Sequence, residues 1–311
     1  MKHGFPSSRR GFILLSVLLI SSLLLGASVT FAWFARQEMR RVASEEFAMV
    51  SRSLAVIAAA TAGGWIAGDT NAFDSHGEFL YSQSLPLMLM FDEWMVSIRI
   101  TPLDHRFPVN AIFLPDGVTL KKEMEHPWEE IWTYLGRPEI GPVVLDFLDR
   151  DSDARPGSRE DEDTFVNGTI SDLSELLRLD EITPALLYGA VSGDTLAEQR
   201  LDRFFTIYCD DKINVNVAPR EVLAILDQDM DAYVADSILQ YRQINPIADM
   251  KDLLKIPGFP AAANARIGNM VGFKSNYFLL QLQVLHGSRE RNFDLVMRRG
   301  DNSCSIVKWS G

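Results

Sequence analysis

The first 35 residues constrain this chain of 311 residues most, because they contain one uninterrupted apolar segment. Residues 12–35 include no ionisable side chain. As a helix, this segment would be about 36 Å long, enough to cross a bilayer with some tilt. The flank before it carries Lys2, Arg9 and Arg10 and no acid, and such flanks stay on the cytoplasmic side. We therefore expect a single-pass membrane anchor with a cytoplasmic amino terminus.

The apolar segment differs from a cleaved secretory signal. Signal cores have roughly 7–15 apolar residues followed by a cleavage site with small side chains, whereas this segment is longer and ends in bulky aromatic residues. Its distinctive feature is the boundary between Gly11 and Phe12, directly after two arginines. This boundary resembles the processing site of type IV prepilins and type II secretion pseudopilins. The resemblance implies cleavage by prepilin peptidase, a leader of residues 1–11 and a retained transmembrane part of residues 12–35.

Position 16 is a serine, five residues into the expected mature chain, where most pilin-like proteins have glutamate. A carboxylate inside a bilayer is costly unless it is paired, and in pilins its partner is the amino terminus of a neighbouring subunit. Absence of the acid is typical of the minor pseudopilin K family of type II secretion. The chain resembles that family in three further segments, VLDFLDRDSDARPGSRED, VNGTISDLSELLRL and KINVNVAPREVLAIL.

The resemblance implies a subunit at the tip of a periplasmic pseudopilus, where it initiates or caps assembly for export of folded proteins across the outer membrane. It also implies the minor pseudopilins I and J as partners and the bacterial inner membrane as the location, with the bulk of the chain in the periplasm. Two other classes stay open at this point: a membrane-anchored DNA receptor of the competence type, and a minor pilin of a type IV pilus.

The helix is expected to continue beyond the membrane. From Met39, apolar residues recur at spacings of three and four, which places them on one helix face. Gly63 and Gly64 are the first strong helix breakers. The pattern therefore predicts a helix from Phe12 to about Ala62. A plain anchor followed by an amphipathic core helix is the simpler alternative.

The order of the remaining segments predicts the fold class. Residues 95–101 alternate in polarity and the pattern resumes near Phe107, which predicts two short strands. Mostly helical patterns follow, and alternation returns from Tyr277 as a three-stranded meander. We expect an α+β fold in which a long N-terminal transmembrane helix packs on an antiparallel, pilin-like sheet. Residues 36–114 and 275–311 would form that body, and residues 115–274 a large, mostly helical inserted domain.

An acidic loop in the inserted domain has the spacing of a calcium site. Asp149, Asp151, Asp153 and Glu160 occupy the first, third, fifth and twelfth places of an EF-hand loop. Ala154 stands where such a loop has glycine, which argues against a true EF-hand. We predict a structural calcium ion as the cofactor, with a second ion at Asp161 or Asp163 as a further candidate. The alternative is a solvated acidic loop neutralised by arginines.

The end of the inserted domain, DMKDLLKIPGFPAAANARIG, resembles a helix-hairpin-helix of nucleic-acid-binding proteins. Acidic neighbours offset its cations, and Pro260 removes a backbone amide where phosphate would be held. The chain also carries a net charge of -12, which becomes -15 when the three leader cations are removed. Because this charge repels DNA, we expect no nucleic-acid partner and interpret the hairpin as a packing or protein-contact element.

The two cysteines, Cys209 and Cys304, leave two interpretations open: one disulfide in an oxidising compartment, or two buried thiols. The five histidines are scattered, and no nucleophile or phosphate-loop motif is present in the sequence. We therefore predict no enzymatic activity. A periplasmic hydrolase with a signal anchor is the remaining enzyme alternative.

Overall fold

The computed structural model describes residues 9–161, 163–189 and 200–311, with side chains from Phe12 onward. Residues 1–8 of the expected leader lie outside the described residues. The chain separates into two compact units, residues 1–56 and 57–311. Helix α1, Arg9–Ala67, supplies the described part of the first unit. Its apolar segment is exposed along its length, and it is the one described helix long and apolar enough to cross a membrane.

Helix α1 continues five residues past the predicted end and runs through both glycines before it ends at Ala67. The prediction of a break at Gly63 was wrong because this glycine serves close packing. A Cβ atom at Gly63 would lie 2.9 Å from Met297 Cε and 3.4 Å from Cys304 Cβ, whereas one at Gly64 would meet nothing within 4 Å. Small residues on the same stretch, Ala58, Ala59 and Ala62, are fully buried.

The second unit contains a five-stranded antiparallel sheet in the order β1-β2-β7-β8-β9. Its strands are β1 Leu87–Phe91, β2 Trp94–Pro102, β7 Tyr277–His286, β8 Arg289–Arg299 and β9 Cys304–Ser310. The meander was predicted correctly, and the α+β fold class is confirmed. Strand β1 was missed because its sequence, LMLMF, is apolar at every position and has no alternation to detect.

Residues 103–276 lie between β2 and β7, which are neighbours in the sheet. The strand expected near Phe107 is only two residues long; this β3, Phe107–Pro108, pairs in parallel with β4, Phe205–Thr206, outside the main sheet. A second parallel pair joins β5, Ile213–Asn214, to β6, Val271–Gly272. The helices are α2 Lys122–Tyr134, α3 Ile140–Leu148, α4 Pro184–Tyr188, α5 Arg220–Ala224, α6 Ala232–Ile244, α7 Met250–Leu253 and α8 Ala261–Ile267.

This intervening segment has its own core, a cluster of buried side chains drawn from residues 107–271. Its two ends meet at Asp104, which is buried. The Asp104 carboxylate accepts hydrogen bonds from the backbone N–H groups of Asn276 (2.9 Å) and Tyr277 (2.8 Å), and its carbonyl accepts one from Asn214 N–H. Burial raises the pKa of Asp104 to about 8. The inserted segment is therefore tied to the sheet where it leaves and where it returns.

Candidate functional site

The acidic loop starts where α3 ends. Asp149 follows the last helical residue, and its N–H donates to Leu145 O at 2.9 Å. Pro156 and Gly157 then reverse the chain, with Gly157 at φ +83° and Ser158 N–H bonded to Arg155 O, as a type II turn requires. After the loop, the N–H groups of residues 166 and 167 donate to Phe147 O. The loop is therefore closed back onto α3, which brings its second half towards Asp149.

Three of the predicted ligands converge in this closed loop. One carboxylate oxygen each from Asp149, Asp151 and Glu160 lies within 4.8 Å of the other two. Asp149 is fully buried, and the other two are half-buried. Asp149 Oδ1 and Glu160 Oε1 are buried and accept no hydrogen bond from the described residues. Because buried polar atoms are normally paired, these two oxygens are suited to hold a cation.

Arg155 supplies positive charge inside the loop. Its guanidinium donates to the carboxylates of Asp146 and Asp149 and to Val118 O at 2.9 Å, and its backbone N–H donates to Asp146 Oδ2. Asp146 is also fully buried, so Arg155 neutralises two acids that would otherwise repel each other. In the EF-hand spacing, Arg155 occupies the seventh place, which supplies a backbone carbonyl; only the alternative interpretation, a loop neutralised by arginines, gave its side chain a role. The sequence signal that could have indicated these side-chain contacts of Arg155 is the position of Asp146, one helical turn before Asp149.

The local electrostatics favour cation binding. Burial raises the pKa of Asp149 to about 6, although Arg155 works in the opposite direction. Burial also raises the pKa of Glu160, and the nearby carboxylates of Asp146, Asp149 and Asp151 raise it further. A bound divalent cation would stabilise the ionised form of these carboxylates.

The other predicted ligands lie elsewhere in the loop. Asp153 is not part of the three-carboxylate group; its side chain is exposed while its N–H donates to Asp151 Oδ1 at 3.1 Å. The Asp161 carboxylate accepts from Asp163 N–H at 3.1 Å, and bonds within this turn lower the pKa of Asp161. Asp163 is exposed. Spacing alone could not separate these acids, because their directions depend on how the chain turns after Asp151.

The three-carboxylate group fits a hard cation such as calcium, which prefers several oxygen ligands from a short segment. It does not form an EF-hand, because the next described helical element is a 3-10 helix, Leu173–Arg178, well after the loop. We therefore treat Asp149, Asp151 and Glu160 as the candidate metal ligands.

The hairpin at the end of the inserted segment has the two helices expected, α7 and α8, with Gly258 at φ +78° between them. Two of its three cations are engaged by acids. Lys255 pairs with Asp252 (2.6 Å), and Arg266 forms a two-pronged contact with Asp227 at 2.6 Å. These two cations are already neutralised by carboxylates, so they offer phosphate little positive charge.

The two cysteines are free thiols in the structure, so it does not contain the disulfide that the sequence left open. Their surroundings differ. Cys209 is buried, and its thiol donates to Lys212 O at 3.2 Å. Cys304 starts β9, where it pairs with Arg299 of β8. No bond joins the two sulfur atoms. Burial raises the pKa of both thiols.

The predicted processing site lies in the first turn of α1, where Gly11 and Phe12 are helical and the Phe12 side chain is exposed. Ser16 lies one turn further on, and its hydroxyl donates to Phe12 O at 2.9 Å. The polar group of Ser16 is therefore satisfied within its own helix.

Comparison with known proteins gives two findings. Residues 213–274 match the family model described as type II secretion system protein K. A solved structure, that of the GspK–GspI–GspJ complex from the enterotoxigenic Escherichia coli type 2 secretion system, contains a chain with the same fold. It aligns with a TM-score of 0.59 at 16% identity and covers 89% of this chain and 98% of that chain. The resemblance to the protein K family is confirmed. A search of curated proteins finds no match.

The part matched by the protein K model runs from β5 to just beyond β6 and includes the hairpin of α7 and α8. None of the candidate metal ligands lies within it. The hairpin that looked like a DNA-binding element is thus part of the segment that resembles protein K. The likeness to the solved chain concerns the fold of nearly the whole length.

Proposed function

We propose that this chain is a K-type minor pseudopilin of a type II secretion system. It would be anchored by α1 in the bacterial inner membrane, with the bulk of the chain in the periplasm, and would act at the pseudopilus tip, where it initiates or caps assembly. The match of residues 213–274 to protein K carries this proposal. The role is structural, and we assign no enzymatic activity to it.

The amino-terminal helix supports a terminal position. Ser16 provides no negative charge and its hydroxyl is used within the helix, so the apolar segment of α1, residues 12–35, has no carboxylate to offer to the amino terminus of another subunit. A shaft subunit needs that pair because a lone charge in the bilayer costs several kcal/mol. The segment between β2 and β7 is a second obstacle to a place within the shaft, since a body of this size is difficult to bury between stacked subunits.

The partners are proposed by analogy with the solved complex, in which the similar chain assembles with GspI and GspJ. The test is co-purification of the full-length chain from membranes with the I and J proteins of the same operon. We expect the three to elute as one complex, and we expect exported proteins to accumulate in the periplasm when the chain is deleted. If I and J co-purify with each other but not with this chain, and secretion continues without it, the proposal is wrong.

We also propose that Asp149, Asp151 and Glu160 bind calcium, which would order the acidic loop. Support comes from the two buried carboxylate oxygens that have no partner among the described residues. Calorimetry of the full-length protein in detergent tests the ligands. We expect Asp149→Asn and Asp151→Asn to weaken calcium binding at least tenfold, and Asp153→Asn, which alters an exposed acid of the same loop, to leave it unchanged. Equal affinity in all three variants would reject this ligand set.

A further inference from the structure

The stretch of α1 directly after the apolar segment carries two arginines that no described residue neutralises. Arg36 is the first residue after that segment, and Arg40 lies one helical turn further on. Both side chains are exposed, and neither forms a hydrogen bond or an ion pair with another described residue. Arg41 differs from them, since its guanidinium pairs with Glu38 at 2.6 Å and with Glu45 at 2.9 Å. Arg36 and Arg40 are therefore available to a partner outside the chain.

The charges of this stretch are separated by helix face. An α-helix turns about 100° per residue, which places Trp33, Arg36 and Arg40 within about 60° of one another. We call these three residues the arginine stripe. Glu38 and Glu45 lie on the opposite side of the helix, about 140–160° around the axis from Arg40. The arginine stripe therefore presents two positive charges and no acid, whereas the opposite face keeps its acids paired with Arg41.

The arginine stripe begins where the anchor ends. Trp33 and Phe34 close the apolar segment and are 58% and 60% exposed. Tryptophan concentrates at the boundary between the hydrocarbon and the water. Arg36 and Arg40 follow Trp33 by about 5 and 10 Å along the helix axis, which places their guanidinium groups at the level of the lipid headgroups. A guanidinium binds a phosphate group through two parallel hydrogen bonds, and a headgroup with net negative charge attracts it further.

We propose that the arginine stripe binds the phosphate groups of anionic phospholipids in the leaflet from which α1 leaves the membrane. This contact would set the depth of the anchor in the bilayer. The inference rests on the membrane anchoring in the proposed function, and it does not depend on the position in the pseudopilus. A second copy of α1 fits the stripe less well, because two of its three acids in residues 36–50, Glu38 and Glu45, are already paired with Arg41.

Quenching of Trp33 fluorescence in lipid vesicles tests the proposal. The full-length protein is reconstituted in mixtures of phosphatidylcholine and phosphatidylglycerol, and one of the two lipids carries brominated acyl chains, which quench a tryptophan that they touch. A Trp33→Phe variant supplies the background signal of the other five tryptophans. We expect phosphatidylglycerol to be preferred about fivefold around Trp33, the size expected for one arginine at an anionic headgroup. Added salt should weaken this preference.

Three variants locate the contact. Arg36→Gln combined with Arg40→Gln should lower the preference for phosphatidylglycerol below about twofold, whereas Arg36→Lys combined with Arg40→Lys keeps the charge and should retain most of it. Arg52→Gln is the control, because Arg52 is an exposed cation of the same helix. It lies about 18 Å beyond Arg40 along the axis, further than charges act in ordinary salt, and its loss should leave the preference unchanged.

The possible results separate the headgroup contact from the anchor. Equal quenching by the two brominated lipids, or a full preference in the double glutamine variant, would overturn the headgroup contact and leave the anchor standing. No quenching of Trp33 by either lipid would overturn both. Inorganic phosphate should weaken the preference only as much as sodium chloride of equal ionic strength does. Stronger competition by phosphate would assign Arg36 and Arg40 to a free anion, and the proposal would be wrong.

Discussion

The buried ion pair between Arg299 and Asp74 gives the sharpest stability prediction. Asp74 is fully buried, and both of its carboxylate oxygens accept from the Arg299 guanidinium, at 2.8 and 3.1 Å. Arg299 also donates to Tyr81 Oη at 2.7 Å, and the Tyr81 hydroxyl donates to Asp69. The pair joins the segment after α1 to the end of β8, so its loss should weaken the attachment of that segment to the sheet.

Replacement of Arg299 by methionine keeps most of the side-chain volume and leaves the Asp74 carboxylate buried without its cation. Breaking a buried pair by removing one partner costs about 3–5 kcal/mol, which corresponds to a fall in melting temperature of roughly 6–20 °C for a unit of this size. Urea unfolding of the full-length protein in detergent, followed by tryptophan fluorescence, measures the loss. The matched control is Arg298→Met, because Arg298 pairs with Asp210 near the surface and should cost less than about 1 kcal/mol. A loss below about 1 kcal/mol for Arg299→Met would refute the reasoning.

Two further predictions use the same unfolding assay. Gly64→Ala should raise stability by up to about 1 kcal/mol, since the new methyl group meets no other atom and alanine favours the helix. Gly63→Val should lower stability by about 1–3 kcal/mol, because the new side chain would overlap Met297 and Cys304. Equal effects of the two substitutions would contradict the close packing at Gly63. Without calcium, the raised pKa of Asp149, about 6, means that the folded state holds this proton more tightly than the unfolded state. The free energy of unfolding should therefore fall on the order of 2 kcal/mol as pH rises from about 4 to about 6. Added calcium should restore this lost stability at pH 7. The Asp149→Asn variant should not show this loss of stability between pH 4 and pH 6.

Much of the fold could be predicted from local patterns. The sequence pattern predicts helices over residues 121–135 and 140–149, because each combines a clear apolar face with proline or glycine near its ends, and α2 and α3 lie within one residue of these bounds. The final meander was also recognisable from its alternation and its two turns. The failures depend on tertiary contacts. Gly63 lies inside a helix because Met297 and Cys304 approach it, and no local rule contains that information.

The candidate metal site was predictable only in part. Spacing identified Asp149, Asp151 and Glu160, because a closed loop returns its twelfth position towards its first. It could not show that Asp153 turns to solvent, or that Arg155 reaches back to Asp146.

The proposed function requires that α1 remains on a mature subunit that begins at Phe12. Mass spectrometry of the intact protein, purified from membranes of cells with and without prepilin peptidase, tests it directly. We predict that the chain starts at Phe12 when the peptidase is present and at Met1 when it is absent. A chain that starts at Met1 in both strains, or that is cleaved beyond Trp33, would contradict the account.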